Sequence, residues 1–194
     1  MLNAALIALR VTIFTLLLTG VAYPLLVTAL AQILFPHQAG GSLVQDDQGR
    51  RVGSVWIGQR FSHPAYFHPR PSAAGDRGYD PTASGGSNLG PTSRKLRDRA
   101  ISDLERLKEE HPGAAAAVPA ELVTASASGL DPHLSLEGAL WQVPRVAKAR
   151  GVSPERLEAV LRTNLEGRDL GFLGEPRVNV LLLNLALDRQ FGRP

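Results

Sequence analysis

Cysteine is absent from the 194 residues, which excludes a disulfide framework, thiol catalysis and a thiolate metal site. Charge is absent from one long stretch: Val11 to Phe35 (VTIFTLLLTGVAYPLLVTALAQILF) holds no Asp, Glu, Lys or Arg. Also missing are an internal repeat, an aromatic-basic stripe and any gathering of carboxylates that would make a cation sink. Without such a stripe, the net charge of +3 does not argue for a nucleic-acid partner. The basic residues are interleaved with acids, as in Arg94-Lys95-Leu96-Arg97-Asp98-Arg99, and read as solvated helix faces.

What is present begins with that uncharged run. Roughly 25 residues at about 1.5 Å per residue span about 37 Å, more than the roughly 30 Å hydrocarbon core of a bilayer. A helix is the only single segment that satisfies its own backbone hydrogen bonds there. Thr12, Thr15, Thr19 and Thr28 can bond back to helical carbonyls, and Tyr23 and Pro24 are tolerable in a spanning helix. Arg10 and the amino terminus flank one end, whereas Pro36 to Gln45 carry no Lys or Arg. The positive-inside bias then predicts a cytoplasmic segment over 1–10, a membrane helix over 11–35 and an extracytoplasmic domain over 36–194. A rival reading is a cleaved signal peptide, because Ala29-Leu30-Ala31 before Gln32 has the small-x-small form of a peptidase site. Secretory apolar regions run about 7–15 residues, so the length favours a retained anchor; both readings leave the bulk of the chain outside the cytoplasm.

After Pro36 the pattern predicts a mixed α/β (α+β) domain. Leu43-Val44 and Val52 to Ile57 read as strands joined through the turn Asp46-Asp47-Gln48-Gly49. Phe61 to Pro71 is dense in Pro and aromatics, and its rings must bury, so it reads as an ordered loop packed on the core. Gly75 to Pro91 is a second long loop. Thr92 or Ser93 can cap a helix with Leu96, Ala100, Leu104 and Leu107 on one face, ending at His111-Pro112-Gly113. The stretch 114–117 reads as a surface connection, and Leu122 to Ala125 as a short strand. Ser135 opens a helix bent at Pro144 and ended by Gly151; Ser153-Pro154 opens another to about Leu165. A turn region covers Gly171 to Pro176. For Val178 to Gln190 length and Leu/Ala content favour helix, capped by Asn179, although Val178-Asn179-Val180 also suits a strand.

Three constellations could carry chemistry. Ser126, Ser128, Asp131 and His133 (SASGLDPH) resemble a serine-hydrolase set, but there is no G-x-S-x-G elbow, and Asp131-Pro132 is an ordinary turn opener. The five histidines are scattered, with no i, i+4 pair of a zinc helix. Ser84 to Pro91 (SGGSNLGP) is nest-like and precedes a helix, so Gly85, Gly86 and Asn88 could face an anion. It lacks the Lys-[Ser/Thr] of a phosphate-binding loop, and glycines also serve where one backbone lies against another surface. An ordered contact loop is the reading preferred here.

Taken as a set, GQRFSHPAYFHPRPSA (Gly58 to Ala73), ASGGSNLGPTS (Ala83 to Ser93), VTASASGLDPHLS (Val123 to Ser135), QVPRVAKARG (Gln142 to Gly151) and LGEPRVNVLLLNLALD (Leu173 to Asp188) follow one another in fixed order. With one N-terminal membrane helix they closely resemble the C subunit of the bacterial Kdp potassium-transporting ATPase (the KdpC family). The resemblance implies an accessory, non-catalytic subunit of an ATP-driven, high-affinity potassium import complex in the inner membrane. Its implied partners are a channel-like potassium-binding subunit, a P-type ATP-hydrolysing subunit, a small single-helix subunit and the lipid bilayer. No cofactor is implied in the chain itself, ATP entering through the complex. The family is described as a catalytic chaperone that raises the nucleotide affinity of the hydrolytic subunit; a domain outside the cell meets no cytoplasmic ATP, so such coupling would run through the helix. Thr12, Thr15, Thr19 and Gly20 form a small surface for helix packing, and Tyr66, Arg70, Ser87 and Asn88 are candidate partner contacts. The alternatives are a subunit that binds nucleotide directly through Gly85, Gly86, Asn88 and Gln142, and a periplasmic hydrolase built on Ser126, Asp131 and His133.

Overall fold

The uncharged run folds as helix as far as Leu34, and Phe35 breaks it at φ −136°. Helix α1 (Leu2–Leu17) passes through one π-helical turn (Leu18–Ala22) into α2 (Tyr23–Leu34). The helix starts at Leu2 rather than at Val11, because Leu2 to Leu9 add mostly Ala and Leu, which favour helix. The 33 residues Leu2–Leu34 are long and apolar enough to cross a membrane by length and composition. The wide turn has a cause in Pro24, which offers no N–H and whose ring would strike the carbonyl of Gly20 in a regular helix. Thr15 donates to the carbonyls of Val11 (2.8 Å) and Thr12 (3.1 Å), and Thr19 to that of Thr15 (2.7 Å).

The computed structural model describes residues 1–112, 114 and 117–194, in two units, Met1–Leu43 and Val44–Pro194. The expected end of a helix at Gly113 and the connection over 114–117 lie partly outside the described residues. The first unit closes with a short helix, α3 (Pro36–Ala39). A hairpin follows, of β1 (Leu43–Gln45), which starts on the last residue of the first unit, and β2 (Arg51–Ser54); its turn is built by Asp46, whose Oδ1 accepts from the amides of Gln48 and Arg50, both at 2.9 Å. Strand β2 stops short of Ile57, where the Ser54 carbonyl turns back to the Ile57 amide.

Helix α4 (Arg94–Glu110) is capped by the Ser93 side chain. The expected strand over Leu122–Ala125 is not formed: Ala120–Leu122 is a 3₁₀ turn, and Thr124 bonds back to Ala120 through both its amide and its hydroxyl. A local hydroxyl partner of this kind competes with any sheet ladder. A three-stranded antiparallel sheet forms elsewhere, from β3 (His133–Ser135), β4 (Leu165–Glu166) and β5 (Arg177–Asn179), with β5 central. Leu134, Val178 and Leu165 lie opposite one another on its core face, and Ser135, Arg177 and Glu166 on the other. Thus the segment from Arg177 is first strand and then helix α7 (Val180–Phe191), the switch made by the Asn179 cap.

Helix α5 (Leu136–Arg150) is capped by Ser135 and ended by Gly151 at φ +64°, and α6 (Pro154–Thr163) follows. Helix α6 ends two residues early because Leu165 is drawn into β4. Phe67, Leu134, Val143, Val146, Leu157, Leu161, Val178 and Leu183 make a dry core between the sheet and these three helices.

Three buried carboxamides attach the irregular N-terminal half to that core. Asn184 on α7 accepts from the Phe67 amide (2.8 Å) and donates to the Phe67 carbonyl (3.0 Å). Gln142 on α5 does the same for His68, at 2.8 and 2.9 Å. Asn179 donates to the Val55 carbonyl at 2.7 Å. Each is at most 2% exposed. Asn184→Leu keeps the volume but leaves two buried backbone groups of Phe67 unpaired, each worth about 1–3 kcal/mol. We expect a loss of about 2–4 kcal/mol in urea denaturation, against well under 1 kcal/mol for the exposed Glu137→Gln.

Candidate functional site

The glycine-rich loop and the SASGLDPH segment lie against each other. The Gly85 amide donates to the Ser128 carbonyl at 2.8 Å, and the Ser84 hydroxyl to the same oxygen at 3.0 Å. A Cβ on Gly86 would lie 2.9 Å from the Ala127 carbonyl oxygen, and one on Gly129, already at φ +68°, 2.7 Å from that of Gly85. These glycines therefore allow two backbones to touch. Ser87 is half-buried, while Asn88 is exposed with φ +50°.

Ser126 is buried, and His133 turns to other partners: its Nδ1 stands 3.4 Å from Asp131 and its Nε2 3.8 Å from Glu166. Asp131 in turn accepts from the His133 amide (3.0 Å) and from Arg70 (3.1 Å). Burial works against the Asp131 charge, yet these bonds and the Arg70 charge hold its carboxyl below the usual range. The arrangement is a pinned turn opening β3, not a base aimed at a serine.

Tyr66 and Arg70, expected as partner contacts, both have internal bonds. The Tyr66 hydroxyl donates to Asp188 at 2.8 Å, and its ring lies under Arg150, 5.1 Å from the guanidinium carbon. Arg150, whose side chain is 3% exposed, pairs with Asp188 at 2.8 Å and donates to the carbonyls of Ala65 (2.7 Å) and Gly192 (2.9 Å). One charge pair thus fastens the Pro-rich loop, α5 and the C-terminus. Neither Arg150 nor Asp188 carries a local sequence signal of this role, because the two stand 38 positions apart.

Between the same loop and α4 runs a cleft of about 490 Å³. Arg99, Asp103, Arg106 and Glu110 line it, alternating in sign along one helix face, with Arg106 bonded to Glu110 (2.9 Å) and Asp103 (3.3 Å). Their spacing of four, three and four residues was legible in the sequence as a helix face, though not as a cleft wall. Gln142 reaches this cleft, but its carboxamide is 1% exposed and committed to His68. Following Glu110 in the chain, His111 packs tilted against Trp141 with ring centroids 4.1 Å apart, its Nδ1 facing the Leu107 carbonyl (2.9 Å) and its Nε2 accepting from Arg145 (2.8 Å). Burial first, then the Arg145 charge, push His68 down to about 4; burial and the same charge bring His111 to about 4 as well.

In the first unit, Thr12, Thr15 and Thr19 form a stripe three and four residues apart, beside Gly20. With the Thr15 and Thr19 hydroxyls bonded to the helix itself, the stripe offers methyl groups and a close-approach surface. Among the described residues, no group of three or more His, Asp or Glu side chains gathers as a metal-holding set.

Two outcomes follow from these partners. Arg150→Ala leaves the nearly buried Asp188 with only the more distant Arg193 (3.7 Å) as its cation and should cost about 3 kcal/mol in urea unfolding, whereas Tyr66→Phe removes one hydrogen bond to a charged group and should cost about 1.5–3 kcal/mol. Stability should also fall with acid in two windows. His68 and His111 bind protons more readily unfolded, so stability declines from about pH 6.5 toward about 4. The Asp46 carboxyl is brought to about 2: burial opposes this, but hydrogen bonds from Arg50 and Gln48 and the Arg50 charge prevail. Its stabilising share is present above about pH 4 and is lost as the pH falls toward 2. Thermal melts of His111→Gln should show a smaller first decline, and those of Asp46→Asn a smaller second one.

With this geometry established, comparison with known proteins is direct. The family model described as K+-transporting ATPase, c chain (KdpC) matches residues 5–189. The chain is 64% identical over 192 residues to a potassium-transporting ATPase KdpC subunit of Myxococcus xanthus, covering 99% of this chain and 90% of that protein. It is 57% identical over 175 residues to the subunit so named in Rhodospirillum rubrum, covering 90% of each chain. With that of Geobacter sulfurreducens the figures are 53% over 180 residues, 93% of this chain and 94% of the relative. A match of this extent, through the helix and the domain alike, places the chain in the KdpC family, the c chain of the potassium-transporting ATPase.

Proposed function

We propose that this chain is the accessory, non-catalytic subunit of an ATP-driven potassium import complex, which it assembles and stabilises. Residues 1–10 lie in the cytoplasm, 11–35 cross the inner membrane and 36–194 stand outside. The helix packs through Thr12, Thr15, Thr19 and Gly20 against the membrane helices of its partners. The outer domain docks on the channel-like, potassium-binding subunit, and a P-type ATP-hydrolysing subunit and a small single-helix subunit complete the assembly. Any effect on ATP use by the hydrolytic subunit passes through the helix, as a difference in affinity between two states of the pump.

One observation supports a structural role above all: Gln142, Asp131, Gly85 and Gly86, which a catalytic or nucleotide-binding reading would use, are engaged in holding backbone. Gln142 and Asn184 hold Phe67 and His68, and Asp131 holds the turn before β3. Gly85 and Gly86 lie against the 126–129 segment. Direct nucleotide contact through Gln142 would need its carboxamide to release two hydrogen bonds in a buried site.

Co-purification and topology test this. The tagged chain, solubilised from membranes, should bring down a P-type ATPase and a channel-like subunit; recovery of neither would reject the assignment as an assembly subunit. Because the chain has no cysteine, one introduced at a time is a unique reporter. A membrane-impermeant maleimide should label Asp76→Cys in intact cells and leave Asn3→Cys unlabelled. The reverse pattern would put the domain in the cytoplasm and restore the nucleotide reading.

A further inference from the structure

The loop between β4 and β5 spends apolar side chains where the fold gains nothing from them. Leu170 is 83% exposed, Phe172 69% and Leu173 48%. Leu170 and Phe172 are the most exposed large apolar side chains of the Val44–Pro194 unit among the described residues. The loop is nevertheless tightly built. Asp169 and Leu173 exchange both backbone hydrogen bonds at 2.9 Å, the Gly171 amide donates to the Arg168 carbonyl (3.1 Å), and the Phe172 amide to that of Asp169 (3.2 Å). Arg177 ties Asp169 and Glu166 at 3.2 Å each, and Arg168 reaches Glu175 at 2.7 Å. Leu170 itself stands at φ +54°, a region unfavourable to a residue with a Cβ. The chain therefore holds these side chains in water on a stapled loop, at a cost in hydration and in backbone strain.

We propose that Leu170, Phe172 and Leu173 are a preorganised anchor that inserts into an apolar pocket on another protein subunit of the transport complex. The proposal rests on the reading of this chain as an assembly subunit and names the surface that does the docking. An apolar centre inside a ring of alternating charges has the anatomy of a protein interface, where a few rigid aromatic and aliphatic side chains carry most of the binding energy. Holding them rigid before contact lowers the ordering cost of association.

The ring also discriminates between occupants. Glu166, Asp169 and Glu175 stand against only Arg168 and Arg177, and most of these charges are already paired with one another. A loop that dips into an anionic lipid surface carries basic flanks instead. A second copy of this chain is a poor fit as well. The three side chains expose on the order of 300 Å², far below the roughly 800 Å² per partner of a stable interface. They suit the centre of a larger contact with a different subunit.

The test uses the whole complex in its membrane. With p-benzoylphenylalanine in place of Phe172, irradiation should join the chain to another subunit of the pump. The pair Leu170→Ser with Phe172→Ser should lower recovery of partner subunits at least tenfold in mild detergent. The same pair should leave the urea midpoint of the separated chain unchanged, because the side chains are outside the core. Adducts with lipid alone, with a second copy alone, or none at all would overturn the anchor, as would unchanged partner recovery by the double variant. If the unsubstituted chain recovers no partner subunit, the assembly reading itself falls. If it does and the variants behave alike, only the anchor falls.

Discussion

The domain depends on side-chain carboxamides doing the work of a missing strand. Residues 61–71 are too rich in proline to join a sheet ladder, yet Phe67 lies at the centre of the core with 0% exposure. A buried backbone must still find donors and acceptors. Asn184 and Gln142, projecting from two different helices, present a donor and an acceptor each to consecutive residues, Phe67 and His68. Replacing a ladder with two carboxamides makes the position of the whole loop a consequence of where α5 and α7 pack.

Around that attachment the electrostatics reinforce one another. Arg150 and Asp188 sit almost out of water, and their pairing is supported because the other two nitrogens of Arg150 each also find an oxygen. The same logic recurs at the hairpin, where Arg50 and Arg193 both reach the buried Asp46 carboxylate. Several buried polar groups of the domain are thus engaged in holding loops. That use of polar groups agrees with the accessory role proposed above.

Much of this was readable residue by residue. Ser93, Ser135, Asn179 and Gly151 end or begin helices where short polar side chains and a left-handed glycine are expected, since capping is a local interaction. The strand pairs were not readable in this way. His133–Ser135 and Leu165–Glu166 are too short to show a period, and each exists only because Arg177–Asn179 lies between them. The strand expected at Leu122 failed for the opposite reason: four residues of good strand composition had no neighbour to pair with, and a 3₁₀ turn closed locally. The internal bonds of Tyr66 and Arg70, named as candidate partner contacts, were not readable either, because Asp188 and Asp131 stand 122 and 61 positions away.

The sequence by itself determined the apolar N-terminal helix, the order of the helices that follow it, the absence of thiol chemistry and, through its long ordered motifs, the family. These properties follow from composition and from interactions spanning a few residues. Only the tertiary structure decided that Gln142 and Asn184 are struts, that Gly86 and Gly129 permit backbone contact, and that Leu170 and Phe172 face water. Each of those depends on which distant groups arrive alongside, and packing, not local preference, brings them there.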